Sequence, residues 1–345
     1  MTMPETPKII CKNVWKIFGT YPNRTLENLD RSLSRTEVQA QTGHVIGVND
    51  VSFDIKKGET FVVMGLSGSG KSTLVRCISR LIEPTAGEIF VDGENIMTYN
   101  KAQLIELRRF RMSMVFQHFG LFPHRKVIDN ISFGLEIRGM DKKVRKAKAM
   151  EVLEKVGLHG WADHYPRELS GGMQQRVGLA RAMAVDPEIL MFDEPFSALD
   201  PLIRREMQDE LLNIQAEVQK TMMFITHDFL EAIKMGDRIA IMKDGVVVQI
   251  GTSEEIVTDP VDSYVREFTE DVPRYKVLSV GKIMRDASDA VLNNDTERVS
   301  AHAKLDSLID IATQCDGPLA VINDENQIIG EIDQTMILKA MDSGS

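Results

Sequence analysis

The sequence has few of the features that mark a secreted, membrane-spanning or nucleic-acid-binding chain. Its three cysteines (Cys11, Cys77 and Cys315) are widely separated and lack metal-ligand spacing, so neither a disulfide framework nor a zinc site is predicted. No apolar run approaches the roughly 20 residues that cross a bilayer, and the N-terminus has no basic start followed by an apolar core. A net charge of −10 argues against a general nucleic-acid binder, which needs a basic stripe. These absences predict a soluble, cytosolic chain with reduced thiols and no nucleic-acid partner.

Length and composition describe an ordinary globular protein of more than one domain. The chain has 43% hydrophobic and 27% charged residues, the balance of a protein with a sizeable core. At about 150 residues per domain, its length predicts roughly two domains. Strand-like segments alternate with helical ones, which predicts an α/β fold with a largely parallel sheet. We place the domain boundary in the segment FTEDVPRYK, giving domains of residues 1–272 and 273–345.

Several local patterns interrupt this alternation. Residues 8–18 alternate well enough to form a strand, and the polar residues 19–44 form an insertion for which we predict a short helix. Lys57-Gly58 is a hairpin turn signal and predicts that the strands on either side pair with each other, and GEIFVDGENI predicts a second hairpin. A mainly helical segment extends over about residues 101–180.

The segment GLSGSGKST, residues 65–73, fits the phosphate-loop pattern G-x-x-x-x-G-K-[ST] and lies between an apolar strand and a helix. Small residues let backbone amides ring a β-phosphate, Lys71 would reach the β- and γ-phosphates, and Ser72 would give its hydroxyl to Mg²⁺. A glycine turn that only caps a helix is the structural alternative, and the complete strand-loop-helix context disfavours it. The predicted ATP-binding residues of this loop are Gly65, Ser67, Gly68, Ser69, Gly70, Lys71, Ser72 and Thr73.

The segment ILMFDEP ends an apolar strand with two carboxylates. A buried strand delivers Asp193 and Glu194 to the carboxyl edge of the sheet, where ligands of open α/β sheets bind. Asp193 is suited to holding Mg²⁺, directly or through water, and Glu194 to polarising an attacking water as general base. Solvated acids at a strand end are the alternative, which a neighbouring phosphate loop makes less favourable.

Gln117 in MVFQ and His227 in FITHD also follow apolar strands. The Gln117 amide could position Mg²⁺ or the lytic water, and His227 could contact a γ-phosphate, although a structural role is the more common reading of either residue alone. Both gain weight because all these polar residues end strands of one predicted sheet and so converge on one edge.

The order of the phosphate loop, VFQ, LSGGMQQR, ILMFDEP, SALD and ITHD resembles that of an ABC-transporter ATPase over residues 8 to about 255. The resemblance implies a P-loop NTPase fold of ABC type, with a mixed sheet core, a helical subdomain and an antiparallel β subdomain. It also implies that Phe18 stacks on adenine, that Gln117 senses Mg²⁺ and permease together, and that His227 is the γ-phosphate switch. Asp200 of SALD resembles the loop that communicates across a dimer.

The segment LSGGMQQR raises the question of a second anion site. Two adjacent glycines before a helix present backbone amides and the positive helix end to an anion, yet a nucleotide on residues 65–72 leaves no local use for them. A serine cap with glycines that ease the turn would explain Ser170 but not both glycines. We therefore expect Ser170, Gly171, Gly172 and Gln174 to face the γ-phosphate held by a second copy of the chain.

A closer resemblance is to the ATPase subunits of glycine betaine/proline and related quaternary-amine importers. Three features carry this resemblance: the insertion at 19–44, the tail after Tyr275, and the segments MGLSGSGKSTLVRCISRLIEPTAGEI and FSALDPLIRREMQDELL. The resemblance implies an ATPase that powers uptake through a separate membrane permease, served indirectly by a substrate-binding protein. It also implies a peripheral position at the cytoplasmic face of the inner membrane. The apolar and aromatic HFGLFPHRKV after Gln117 is the predicted permease contact, with packing inside the helical subdomain as the alternative.

The tail resembles a single CBS-like module in which GPLAVINDENQIIGEIDQTMILKAM predicts strand, turn, strand and helix. The segment EIDQTMIL lacks the Ser/Thr and Asp three apart that nucleotide-binding modules of this type carry, which argues against adenosine binding. The acid-rich composition of the tail argues against its attraction to an anionic membrane, because such attraction needs lysine and arginine clusters. The expected role of the tail is dimerisation with the same module of a second copy of the chain.

Two other classes of function compete with transport. A soluble ABC ATPase of DNA repair or translation would use the same core but usually shows a long coiled-coil insertion or two cassettes. A non-hydrolysing regulatory module would lack the base, whereas Glu194 and His227 are both present.

Overall fold

A computed structural model describes residues 6–117, 120–270, 272–288, 291, 296–308, 311 and 317–342, and it divides the chain into two units, Met1–Ile250 and Gly251–Ser345. The first unit contains two sheets. The strands of the described residues are β1 (Ile9–Phe18), β2 (Val45–Ile55), β3 (Thr60–Met64), β4 (Ala86–Val91), β5 (Glu94–Asn95), β6 (Met112–Val115), β7 (Ile189–Asp193), β8 (Thr221–Thr226), β9 (Arg238–Lys243), β10 (Val246–Gly251), β11 (Arg298–Ser300), β12 (Leu319–Ile322) and β13 (Ile328–Ile332).

The larger sheet has the order β10-β9-β3-β8-β7-β6 and is parallel at the pairings of β3 with β8 and β9 and of β7 with β6 and β8. The smaller sheet, β2-β1-β4-β5, is antiparallel. Every residue of β3, β7 and β8 is buried, as expected of strands covered on both faces. The mixed α/β architecture predicted from the sequence is confirmed.

Helices separate most of the strands along the chain. They are α1 (Pro22–Glu27), α2 (Arg35–Thr42), α3 (Lys71–Ile78), α4 (Lys101–Glu106), α5 (Val127–Ile131), α6 (Phe133–Ile137), α7 (Lys142–Lys155), α8 (Gly171–Ala184), α9 (Pro201–Val218), α10 (Phe229–Met235), α11 (Ser253–Thr258), α12 (Ser263–Thr269), α13 (Val280–Ile283) and α14 (Gln334–Asp342). In the residues that the structure describes, no helix is long and apolar enough to span a membrane.

The hairpin predicted at Lys57-Gly58 is wrong. β2 pairs with β1 in the smaller sheet, while β3 pairs with β8 and β9 in the larger one. The turn therefore connects two sheets, and the stacked rings of Phe53 and Phe61, 4.9 Å apart, lie in the core between them. Burial decides this outcome, because a strand that is buried on both faces is more stable between two parallel neighbours than in an exposed hairpin. The second predicted hairpin is confirmed by the pairing of β4 with β5.

The insertion at 19–44 contains two helices rather than the single short one predicted. Ser34 begins α2 with a capping box, in which its side chain accepts from Glu37 N while the Glu37 carboxylate accepts from Ser34 N. The insertion has its own small core, in which buried Val38 of α2 meets Ile17 of β1 and Ile46 of β2. The two helices are thereby fixed to both strands that flank them.

The second unit contains a small sheet in which β11 pairs parallel with β12 and β12 pairs antiparallel with β13. The strand, turn, strand and helix predicted for the end of the tail are present as β12, β13 and α14. The division at residue 250 precedes the predicted boundary at 272, because α11 and the segments after it belong together: Glu254 accepts hydrogen bonds from Ser279, and Lys304 bonds to Ser253.

Glu331 holds the segment at residues 285–288 to β13, and we expect its replacement by glutamine to destabilise the unit. The carboxylate, 2% exposed, accepts from Arg285 Nε at 2.8 Å and from both the backbone N–H and the hydroxyl of Ser288. Glu331→Gln places an amide donor against these donors, so the free energy of unfolding should fall by about 1–3 kcal/mol. Thermal unfolding at neutral pH measures this loss, with the exposed Glu325→Gln as control.

The same pair of variants gives a pH dependence. Hydrogen bonds from Ser288 hold the pKa of the Glu331 carboxyl below its ordinary value. A carboxyl whose pKa is lowered by folding stabilises the protein above its ordinary pKa and loses that contribution as the pH falls through the folded-state value. The gap between wild type and Glu331→Gln should therefore narrow below about pH 4; a gap that is constant from pH 7 to pH 3 would contradict this role.

Candidate active site at the carboxyl edge of the larger sheet

The loop between β3 and α3 can be built only with glycine at two of its positions. Gly65 has φ +152° and a Cβ there would lie 2.1 Å from Met242 O, while Gly70 has φ +108° and a Cβ would lie 2.2 Å from Gly47 O. Both conformations and both close approaches exclude a side chain. The loop therefore packs its backbone on β9 and β2 and leaves its outer residues, Ser67 and Gly68, exposed.

Lys71 begins α3 and is buried, 4% exposed, inside this loop. Its ammonium donates to Gly65 O at 2.7 Å and Leu66 O at 3.1 Å, and lies 3.7 Å from Glu194 Oε1. Burial lowers the pKa of Lys71 below its ordinary value, although the negative charge of Glu194 opposes the shift. The neighbouring Ser69 hydroxyl is buried and has no hydrogen-bond partner among the described residues.

Ser72 and Asp193 meet, as the sequence predicts for residues of one metal site. Ser72 Oγ donates to Asp193 Oδ1 at 2.6 Å, and Arg76 Nη2 donates to Asp193 Oδ2 at 3.0 Å. Asp193 is 2% exposed, and these two hydrogen bonds give each of its buried carboxylate oxygens a partner. The sequence analysis missed Arg76, although its position one helical turn after Ser72 places it on the same face of α3.

Glu194 and His227 also lie together. His227 Nδ1 is 3.1 Å from Glu194 Oε2, and because an ionised carboxylate only accepts, this contact requires the proton on Nδ1. The Glu194 side chain is 18% exposed and that of His227 52% exposed. Glu194 has φ +47°, a left-handed conformation that is uncommon for a residue with a side chain. The turn after β7 thus aims the carboxylate between Lys71 and His227.

Gln117 reaches this group through Ser197. Gln117 Nε2 donates to Ser197 Oγ at 3.3 Å, and Ser197 Oγ donates to Glu194 O at 3.0 Å. The amide of Gln117 is therefore tied to the turn that carries Glu194 rather than to Ser72 or Asp193. The sequence analysis did not single out Ser197 for this contact.

Phe18 and Thr73 both lie beside Gly47 of β2. Phe18 ends β1, is 39% exposed, and has Lys16 Nζ 5.1 Å from its ring centroid. A Cβ at Gly47 would lie 2.8 Å from the Phe18 ring and 3.1 Å from Thr73 Cγ2. The ring thus stands beside the first turn of α3, with one part of its surface open.

The segment predicted to face the phosphate of a second copy makes its hydrogen bonds within its own helix and with the residues just before it. Ser170 caps α8 by accepting from Met173 N at 3.3 Å, and Gln174 Nε2 donates to Pro166 O and Leu169 O. Ser170 and Gly171 are exposed. In the described part of the chain, no hydrogen bond or ion pair joins Ser170–Gln174 to the loop at 65–73.

The two glycines of this segment have different surroundings. Gly172 is buried, and a Cβ there would lie 2.5 Å from Ile203 Cγ2 on α9. Gly171 has room, with Leu199 Cδ2 at 3.8 Å as the nearest atom. Close helix packing therefore accounts for Gly172, which the sequence analysis assigned to anion binding together with Gly171. No packing requirement of this kind accounts for Gly171.

Asp200 and Phe122 complete the predicted set. Asp200 is exposed and caps α9 by accepting from Ile203 N at 3.1 Å. Phe122 packs edge-on against Phe133 with centroids 4.6 Å apart, so the alternative of packing inside the helical segment applies to it. Phe119, part of the predicted permease contact, lies outside the described residues.

The loop and the adjacent carboxylates fit a nucleoside triphosphate with a divalent cation. A glycine-bounded loop at a helix N-terminus, a buried lysine and an unpartnered Ser69 hydroxyl provide donors for phosphate oxygens. Ser72 Oγ and Asp193 Oδ1 provide two oxygens 2.6 Å apart, and oxygen is the donor atom that Mg²⁺ prefers. Fold and site together define a P-loop ATPase of the ATP-binding-cassette class.

Comparison with known proteins gives the family. The model of the ABC transporter family matches residues 48–197. The chain is 51% identical to the trimethylamine N-oxide transport system ATP-binding protein TmoW of Ruegeria pomeroyi, over 97% of each chain. It is 54% identical to the glycine betaine transport ATP-binding protein OpuAA of Bacillus subtilis, over 83% of this chain and 69% of that one. The chain therefore belongs to the ABC transporter family, as an ATP-binding and ATP-hydrolysing cassette.

Solved structures agree with this assignment. A dimeric ATP-binding cassette in a post-hydrolysis state, bound to ADP and phosphate, matches with a TM-score of 0.60 and 32% identity. The match covers 71% of this chain and 98% of the other. A dimeric bacterial ABC transporter cassette matches with a TM-score of 0.61, the same identity and the same coverage. The cassette fold expected from the sequence is confirmed.

Proposed function

We propose that this chain is the ATP-hydrolysing subunit of an importer for quaternary amines and related osmolytes. Candidate substrates are glycine betaine, proline betaine, choline, carnitine and trimethylamine N-oxide. The observation that carries the proposal is the 51% identity to a trimethylamine N-oxide transport ATP-binding protein over 97% of both chains. An alignment of that length extends through the insertion and into the second unit, so it supports more than a shared cassette core.

The residues around Glu194 support a mechanism of hydrolysis. The amides of the loop at 65–73 and the Lys71 ammonium would hold the β- and γ-phosphates, and the open part of the Phe18 ring would stack on adenine. Glu194 would polarise the attacking water as general base, and His227, held by that carboxylate, would contact the γ-phosphate. Ser72, Asp193 and Gln117 would hold Mg²⁺, which when bound would polarise the phosphoryl oxygens.

A second copy of the chain would complete each site. Ser170 and Gly171 are exposed and unattached to the loop of their own chain, which supports a role toward a nucleotide held by the partner. Gln174 and Asp200 would take part from the same side, and the positive end of α8 would add to the stabilisation of the γ-phosphate. The two solved structures compared above are dimeric.

The remaining partners follow from a transport role. An integral membrane permease would hold the chain at the cytoplasmic face of the membrane and convert closure of the dimer into a change of access. A substrate-binding protein would act only through that permease. The residues after Gln117 that include Leu121 are the candidate permease contact. For the second unit we propose a CBS-like regulatory or dimerisation domain in residues 273–345.

Uptake by cells tests this function directly. Deletion of the gene should abolish most of the uptake of at least one radiolabelled compound of the candidate set, because the permease would lose its source of energy. A plasmid copy of the wild-type gene should restore uptake, and a Glu194→Gln copy should not. Unchanged uptake of all five compounds would reject the proposed substrate class.

A further inference from the structure

The insertion at 19–44 leaves the antiparallel sheet at Phe18 and returns to it at Val45, next to the loop that binds phosphate. Its second helix, α2, is held in place by the Ser34 capping box and by Val38, which is 1% exposed and packs between β1 and β2. Arg35 is the first residue of this helix, directly after the capping serine.

Arg35 donates to the loop itself. Its Nη1 lies 2.7 Å from Gly68 O, the carbonyl of an exposed loop residue. Gly68 has φ +80°, and no atom lies within 4 Å of the position a Cβ would occupy. A glycine is the residue with the most backbone freedom to lose, so the hydrogen bond from Arg35 restricts a residue that is otherwise conformationally permissive.

The peptide between Gly68 and Ser69 is consequently fixed at both of its polar groups. Arg35 holds the carbonyl from outside, and the Ser69 N–H donates to Leu66 O at 3.1 Å. With that peptide fixed, the amides on either side keep one orientation, and the guanidinium also adds a permanent positive charge at the edge of the loop. Both effects prepare the loop to bind an anion.

We propose that Arg35 is a positioning residue of the ATP site, through which the insertion sets the affinity of the phosphate loop for nucleotide. The inference rests on the proposed assignment of residues 65–73 to phosphate binding. It gives the insertion a role in the cassette's own chemistry, because removal of one hydrogen bond would loosen the loop without touching Lys71, Ser72 or the carboxylates.

The test uses the full-length chain and titration of ATP and ADP, followed by steady-state ATPase kinetics. Arg35→Ala should raise the Kd of both nucleotides about five- to tenfold, the effect expected of one charge-assisted hydrogen bond at a partly exposed position. The KM for ATP should rise in parallel, while kcat changes less than about twofold. This is expected because the interaction with Arg35 stabilises bound ATP and the transition state equally. Arg35→Lys, which keeps the charge and one donor, should recover part of the affinity.

Arg24→Ala is the matched control, since Arg24 is an exposed arginine on α1 of the same insertion. It removes the same charge and should leave both Kd values within about twofold of wild type. Equal losses in Arg24→Ala and Arg35→Ala would replace the proposal with a general field effect, and unchanged nucleotide affinity in Arg35→Ala would overturn it. Lys71→Ala separates the assignment of the phosphate site from the role of Arg35. If Lys71→Ala binds ATP like wild type, the phosphate-site assignment is wrong. If Lys71→Ala binds ATP weakly and Arg35→Ala binds it normally, only the role of Arg35 is wrong.

Discussion

Glu194→Gln should reduce the kcat of ATP hydrolysis by about 10²–10⁴-fold, the range expected when a general base is removed, while ATP still binds. Glutamine keeps the size of the side chain and an oxygen that can accept from His227 Nδ1, so the turn after β7 should stay intact. The lost negative charge also relieves the repulsion of incoming phosphates, and ATP that binds without being hydrolysed should trap the closed dimer. Size-exclusion chromatography with and without ATP measures the trap, and phosphate release measures the rate.

Glu151→Gln is the control for this experiment, because Glu151 is an exposed carboxylate of α7 and its replacement makes the same change of net charge. It should hydrolyse ATP at the parental rate and show no stable dimer. Parental turnover in Glu194→Gln would show that another group activates the water, and the assignment of Glu194 would be wrong.

Gly171→Leu should leave ATP binding unchanged and lower hydrolysis by about 10²–10³-fold, the loss seen when preorganised donors to a transition state are removed. A Cβ at Gly171 would make an ordinary van der Waals contact, with Leu199 Cδ2 at 3.8 Å as its nearest atom, so the fold should tolerate a side chain there. In the proposed dimer the leucine would face a phosphate held by the other copy. Gly172→Ala should behave differently and lower the stability by about 1–3 kcal/mol through the contact with Ile203.

Mixing two inactive variants tests whether the two halves of a site come from different chains. In a mixed dimer of Lys71→Ala and Gly171→Leu, one site combines the intact loop of the second variant with the intact glycine of the first. A twofold-symmetric dimer with independent sites should then recover roughly a quarter of the parental activity after random mixing. If each chain supplied both halves of its own site, the mixture would stay as inactive as its components.

The sequence predicted the centre of the site because strand ends are readable and parallel strands share an edge. Asp193, Glu194 and His227 each follow a wholly buried strand, and β7 and β8 are neighbours, which brings the three residues to the phosphate loop. The same reasoning failed at Lys57-Gly58, since a turn signal specifies a reversal of the chain but not the sheet that the next strand joins.

Contacts that depend on three-dimensional packing could not be predicted. The clash that requires glycine at Gly172 comes from Ile203, which lies 31 positions further along the chain and meets α8 only through the packing of α8 and α9. Arg35 carries no motif, and its approach to Gly68 depends on how the insertion packs on β1 and β2. Local pattern therefore predicted which polar side chains meet at the edge of the sheet, whereas the contacts that support them depend on tertiary structure.

The left-handed backbone of Glu194 has a consequence for how this protein responds to selection. A residue with a side chain in that conformation costs on the order of 1–3 kcal/mol, and glycine at the same position would relieve the strain while removing the carboxylate that we propose as the base. Selection of a mutant library for heat resistance alone would therefore enrich substitutions that inactivate the enzyme. Active, heat-resistant variants have to be sought with a screen that also demands turnover, or at positions away from the turn after β7.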